Sequence, residues 1–355
     1  MKLKKEIAEK LINDFIISIF LYSLPIVCMF IYYWCFSKHR PWNQPNQELP
    51  FASLGSVFVN FNTWGLPVLM VVVGVVEWML GLYKGGWNRN EQFLETLSFI
   101  VPRIVIRPIV AYYSLRILPL ILPGFMNMFG WMPFWWGFFI IAIGLDLTEY
   151  WYHRLHHQIP SLWRFHRAHH SAPYMGMSVA YRSNFIILIF DSPLYLTVAL
   201  AYLGLGAPVL IFGILRSLIS ISAHSSLPWD RPFYSKKWLH PMAWIMERVI
   251  STPATHHAHH SDNSDDGVGH YKGNFGNMFF IWDMIFGTGI ITRKYPSRYG
   301  LRSYKQEEWY VQYFWPFIKS KRKGSELSPG GPMVADEEEA VFPEKDAKKL
   351  REASS

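Results

Sequence analysis

Long apolar runs separated by short polar stretches dominate the chain. Residues 15–36 (FIISIFLYSLPIVCMFIYYWCF) and 64–83 (WGLPVLMVVVGVVEWMLGLY) are nearly continuous, with Glu77 as the one polar interruption in the second. About 20 residues of helix cross the hydrocarbon core of a bilayer, so both predict spanning helices. Residues 94–122 predict a third span although they carry Arg103, Arg107 and Arg116. Guanidinium groups at that depth must face the bundle interior or reach an interface. Residues 132–152 (MPFWWGFFIIAIGLDLTEYWY) predict a fourth span, and 185–203 with 207–223 a hairpin broken at GLGAP. The pattern then changes. Residues 229–251 mix charge with Trp and Ile, as a surface or interfacial helix does, and 276–291 form an apolar stretch with one Asp, suited to docking on a membrane face. From 319 the chain turns polar, charged and Pro/Gly-rich, a composition that predicts disorder.

Composition agrees with an integral membrane protein. Of 355 residues, 51% are hydrophobic and 17% charged, against about 25% charged in ordinary soluble domains. The net charge of +8 collects in loops and tail, and no RNA- or DNA-binding motif accompanies it, so no nucleic-acid partner is expected. Cys28 and Cys35 form neither a disulfide framework nor a CxxC site. The N-terminal MKLKKEIAEK lacks a following AxA-like cleavage site and predicts a retained anchor. With that terminus cytoplasmic, most Lys and Arg outside the spans fall on the cytoplasmic side. Every histidine cluster falls there too.

The chain has 14 histidines, and all but His39 lie between 153 and 270. Three blocks share a form: HRLHH at 153–157, HRAHH at 166–170 and HHAHH at 256–260, with His224 between the second and third. Residues at i, i+3 and i+4 share one helix face, so each block can aim imidazoles at one region. Imidazole suits Zn, Cu, Fe and Ni. Nine histidines are candidate ligands: His153, His157, His166, His169, His170, His224, His256, His259 and His260. One closed four-ligand shell does not use nine, and the number predicts a dinuclear site. His156 and His270 are further candidates of lower rank. His257 points about 100° away from His256 on a helix, which places it outside the ligand set, and His240 reads as structural. Asp146 and Tyr150, upstream of His153 on its helix face, are candidates to hold ligand rings in place, since a ligating histidine often gives its other N–H to a carboxylate.

These residues resemble the fatty acid hydroxylase/sterol desaturase superfamily of membrane histidine-rich di-iron oxygenases. The run DLTEYWYHRLHHQIPSLWRFHRAHHS (146–171) is similar to its first two histidine boxes, STPATHHAHHSDN (251–263) to its third, and NFGNMFFIWDMIFGT (274–288) to the segment that closes its catalytic region. His224 in AHSSLPW matches its isolated histidine. The likeness covers about 132 to 290; it departs from the pattern at the extra His156 and at Phe275, where Tyr is common. It implies an all-α fold: a multi-pass transmembrane helical bundle with a cytosolic helical cap carrying the dinuclear site. It divides the chain into N-terminal transmembrane helices (1–131), a catalytic region (132–318) and the charged tail (319–355). It also implies two Fe ions, O2 as co-substrate, hydroxylation or desaturation of a lipid or sterol, and Asn274 as a residue that orients the site. The bilayer is the implied surrounding, either a bacterial inner membrane or the endoplasmic reticulum.

No GxGxxG fingerprint opens a helix and no CxxCH is present, so electrons are expected from a separate NAD(P)H-linked reductase through an electron-transfer protein. Two other readings stand beside the oxygenase. A zinc hydrolase lacks its HExxH. A metal carrier or transporter without redox catalysis would place ligands at mid-membrane between spans, whereas these follow span ends.

Overall fold

The computed structural model describes residues 61–83, 86–262, 265–301 and 306–332. The expected span 15–36 and the residues beyond 332 lie outside them. The described residues are helical and contain no strand, only isolated bridges between Ile250 and Phe279 and between Ser261 and Tyr299.

A π-helical turn leads into α1 (Leu66–Met79), and α2 (Arg89–Val101) runs through a second such turn, Pro102–Ile106, into α3 (Arg107–Ile121). Pro102 has no N–H to give the carbonyl four residues back, and the wide turn closes instead with Arg107 N–H on the Pro102 carbonyl. α4 (Phe134–Gln158) and α5 (Pro160–His170) form the first histidine-bearing pair. α6 (Phe185–Ile189), α7 (Ser192–Leu200) and α8 (Gly206–His224) make up the bent hairpin. Short helices follow: α9 (Arg231–Ser235), α10 (His240–Val249), α11 (Pro253–His259), α12 (Ile281–Phe286) and α13 (Trp309–Phe314).

Among the described residues, two runs are long and apolar enough to cross a membrane, Arg89–Ile121 and Phe185–His224, and α1 is a shorter apolar helix. The hairpin breaks where GLGAP predicts it. Gly204 adopts φ +101°, and a Cβ there would lie 2.6 Å from Asn127 Oδ1 and 2.7 Å from Gly130 N, so only glycine fits. The first limb, expected as one helix over 185–203, breaks again at 190–191, where Asp191 and Pro193 interrupt the apolar run. Many large apolar side chains face outward: Trp135, Trp136, Phe139 and Ile143 on α4, Tyr113 and Leu120 on α3, Met242, Trp244 and Ile245 on α10. Such a skin suits lipid contact and the interfacial reading of 229–251.

The interior has three main parts. α4 packs on α8 through Ile141, Ala142 and Leu145 against Val209 and Phe212. α1 and α2 meet α8 through Leu66, Met70, Phe99 and Ile221. Beside the histidine helices, Val311, Trp315 and Leu327 pack together with Phe165. This last cluster corrects the expected tail. Residues 319–332 are folded back, with Leu327 buried, Glu326 paired with Arg167 at 3.3 Å, and the Gly331 carbonyl accepting from Arg164 at 2.6 Å. Apolar Leu327 within a charged stretch supplies the anchor that average composition hides.

Candidate metal centre

The helix breaks do the positioning. α4 ends at Gln158, Ile159 is extended, and Pro160 starts α5 at its first turn, where a missing N–H costs nothing. The chain doubles back, and the α5 imidazoles face those of α4: ring centroids are 4.8 Å apart for His153–His166 and 4.6 Å for His157–His170. α8 delivers His224 as its last residue. α11 starts with a capping box between Thr252 and Thr255 and with Pro253 at its first position, which seats a seven-residue helix rigidly enough to present His256 and His259, with His260 as its cap.

All nine candidate ligands from the sequence meet here. Ligand nitrogens of His153, His157, His166 and His170 lie within 4.8 Å of one another, and so do those of His169, His224, His256 and His260. His170, His259 and His260 make a third such group that joins the two tetrads. Eight of the nine are buried and His166 is half-buried. The groups contain imidazole alone, a donor set that suits Fe, Zn, Cu or Ni.

Ring orientation follows from the backbone. Nδ1 of His153 donates to the Phe275 carbonyl at 2.7 Å, Nδ1 of His259 to Gly273 at 2.7 Å, Nδ1 of His224 to Ser220 at 2.7 Å and Nδ1 of His169 to Arg182 at 3.2 Å. A carbonyl only accepts, so each Nδ1 carries the proton and each Nε2 presents a bare lone pair. Those lone pairs face each other: His153 and His259 Nε2 are 3.1 Å apart, His169 and His224 Nε2 3.5 Å. Neither member of either pair can donate. Both His157 nitrogens, His256 Nδ1 and His260 Nε2 are also buried without a hydrogen-bond partner. Opposed acceptors at such distances require a cation between them. Protons fill that role poorly at neutral pH, because burial, reinforced by the neighbouring His224, holds His169 down to about 3. Burial and adjacent imidazoles likewise push His157, His170, His259 and His260 well below the usual range. The residues present therefore fit a metal.

The lower-ranked candidates stand apart from these groups. Nδ1 of His156 is taken by the Tyr152 carbonyl at 2.7 Å, and Nε2 of His270 by the Thr288 carbonyl at 3.1 Å. His257 points away, as its helical position predicts, with its nitrogens on Tyr299 Oη (2.9 Å) and the Ser225 carbonyl (3.0 Å).

Asp146 reaches no imidazole. Seven residues of helix put it about 10 Å along the axis from His153, and the Phe275 carbonyl already occupies His153 Nδ1. Its Oδ2 accepts instead from Trp282 Nε1 at 2.8 Å and Phe279 N–H at 3.2 Å, which pins the 275–283 segment to α4. Tyr150 Oη bonds Thr288 Oγ1 at 2.8 Å. Asn274, at φ +56°, donates to the carbonyls of Thr255 (2.9 Å) and Ile290 (3.0 Å) and so ties this segment to α11.

Two carboxylates escaped notice in the sequence as parts of the site. Asp283, fully buried, accepts from Phe275 N–H (2.8 Å), Gly276 N–H (2.7 Å) and Thr288 Oγ1 (2.7 Å), so it sets the carbonyl that orients His153. Glu77, on α1, accepts from Tyr83 Oη (2.8 Å) and Ser226 N–H (2.8 Å) and from Ser225 Oγ, fastening the loop after His224. A lone acid in an apolar run was the available signal for both.

Residues 138–288 match the model of the fatty acid hydroxylase family. Similar curated proteins include an alkylglycerol monooxygenase of Danio rerio, 29% identical over 43% of this chain and 30% of the relative, and another from Xenopus tropicalis, 26% identical over 47% and 33%. An ornithine lipid hydroxylase of Rhizobium tropici is 29% identical over 44% of each chain. The chain thus spans less than half the length of the curated relatives it matches. No solved structure matches it. The stretch 138–288, which holds all nine converging imidazoles, belongs to the fatty acid hydroxylase family.

Proposed function

We propose that the protein is a membrane di-iron oxygenase that oxidises a C–H bond of a lipid at the expense of O2. Hydroxylation balances as RH + O2 + 2e⁻ + 2H⁺ → ROH + H2O, with the electrons delivered by a separate NAD(P)H-linked reductase. His153, His157, His166 and His170 would hold one iron and His169, His224, His256 and His260 the other, with His259 completing the shell beside His153. Iron held there supplies the activation of O2 that side chains cannot. The protein's part is to orient the rings through backbone carbonyls, keep the imidazoles unprotonated by burial, and bring the lipid in from the bilayer. The histidine face is placed on the cytoplasmic side, of a bacterial inner membrane or the endoplasmic reticulum.

One observation carries this reading: buried Nε2 lone pairs opposed in pairs within an all-imidazole shell. The matched relatives, lipid hydroxylases and monooxygenases by name, supply the reaction class. The test is to purify the full chain with iron supplied, count iron, and follow O2 uptake on reduction. About two irons per chain with O2 consumption, both reduced in His169→Ala, is the expected result. Full turnover in that variant removes His169 from the site. Iron without O2 uptake would point to a metal carrier instead. Comparing lipids of a deletion strain with wild type then names the substrate.

A further inference from the structure

Three neighbouring cavities lie in this part of the molecule; the first alone is lined by metal-binding histidines, and their chemistry differs. The first, of about 190 Å³, is lined by His153, His166, His169 and His224 on one side and by Arg103, Arg107 and Arg216 on the other. A second, of about 250 Å³, shares Arg107, Asp191 and Arg216 with it. The third, of about 400 Å³, is apolar, with Leu155, Leu162, Phe165, Ile186 and Phe190 in its wall; it meets the first at Tyr152 and Ile187.

The guanidinium groups are not equally engaged. Arg216 pairs with Glu149 at 2.7 Å. Arg103 donates to the Phe99 carbonyl at 3.1 Å and lies over the rings of Phe99 (3.7 Å) and Tyr181 (4.3 Å). Arg182 is tied to Glu91 and Ser171. Arg107 has neither a hydrogen bond nor an ion pair among the described residues, although it lies in an apolar, span-length helix. Asp191 and Glu149 are the carboxylates that face these arginines in the two cavities. Three guanidinium groups therefore meet two carboxylates, and one positive charge is left over. A cation in an apolar helix that faces Asp191 without pairing to it keeps its fork open to an anion from elsewhere.

We infer that this pair of compartments binds a single-chain amphiphile with an anionic headgroup, its phosphate or carboxylate oxygens on Arg107 and Arg103 and its hydrocarbon in the groove beyond Tyr152 and Ile187. The inference rests on the lipid-oxygenase reading for its meaning as substrate selection, but it is testable without turnover. Arg presents a planar fork that matches either oxyanion.

The full chain in neutral detergent is dialysed against radiolabelled hexadecyl phosphate, palmitate or the uncharged hexadecylglycerol. At least one anionic probe is expected to bind about tenfold or more tightly than the neutral one, and the tighter of the two identifies the headgroup. Arg107→Gln should remove that preference while thermal midpoint and iron content stay unchanged, because the backbone N–H that closes the turn on Pro102 is kept and the Arg107 side chain makes no hydrogen bond or ion pair among the described residues. Ile187→Trp, which fills the groove, should weaken all three probes alike. Equal binding of neutral and anionic probes, a preference that survives Arg107→Gln, or indifference to Ile187→Trp overturns the inference. A chain that binds the probes as expected but consumes no O2 would instead sink the oxygenase reading and leave this site standing.

Discussion

The opposed lone pairs of His153 and His259 allow a sharp test through His259→Gln. A glutamine amide reaches about as far as imidazole Nε2, and its NH2 can donate to His153 Nε2, where the native chain sets acceptor against acceptor at 3.1 Å. That removes a buried unmet acceptor, worth about 1–3 kcal/mol. It also deprives the Gly273 carbonyl of its donor at 2.7 Å, which costs about 1–3 kcal/mol. The two terms nearly cancel, so metal-free His259→Gln should unfold within about 2 kcal/mol of the metal-free native chain, although His259 is fully buried. With metal the outcome differs. At free metal a hundredfold above its Kd, one site stabilises the folded state by about 2.7 kcal/mol. Loss of a ligand that weakens binding about a hundredfold leaves roughly 0.4 kcal/mol at the same concentration. Denaturant unfolding in detergent, followed by tryptophan fluorescence with chelator or with anaerobic ferrous iron, measures both differences. If the substitution costs the metal-free chain as much as the loaded one, the lone pairs do not oppose each other and the argument for a bound cation fails.

Other consequences are open to measurement. Asp283→Asn puts an amide NH2 against N–H donors at 2.7–2.8 Å; it should cost about 2–4 kcal/mol and lower iron content, and unchanged iron content would show that His153 does not depend on the 275–283 segment. Glu77→Ala strands Tyr83 Oη, Ser225 Oγ and Ser226 N–H and should destabilise by about 3 kcal/mol or more, read as a lower unfolding midpoint. Phe212→Ala empties a site between α4 and α8 and should cost about 3–5 kcal/mol, with metal stoichiometry retained in the folded fraction. Burial keeps folded His169 and His257 down to about 3, whereas an unfolded imidazole titrates near 6.5. Between those values the unfolded chain takes up protons that the folded chain refuses. Metal-free stability, intact above pH 6.5, should therefore fall as the pH drops towards 3, by up to about 1.4 kcal/mol per pH unit for each such group. A denaturation midpoint that stays flat from pH 7.5 to 5 contradicts this.

The imidazole cluster was legible because helical spacing is local: HxxHH puts three rings on one face whatever surrounds it. The break at GLGAP was legible for the same reason. The acceptors that orient the rings were not, since Arg182, Gly273 and Phe275 act through carbonyls, which every residue possesses, from loops without periodicity. Asp146 misled because a shared face two turns away is not contact. The fold of 319–332 was hidden by averaging, in which a few charged residues outweighed Leu327. The long hydrophobic runs announced helices, yet not that Arg107 would stand unpaired in a cavity beside the histidines.

Main-chain oxygens steer four of the rings, and this bears on how freely relatives can diverge. A side-chain acceptor would have to be preserved atom for atom, whereas an oxygen on the peptide survives any replacement that leaves the loop path alone. Substitution can therefore run through the supporting loops while the imidazole geometry stays put, which suits a stretch that agrees with its curated relatives at little more than a quarter of aligned positions.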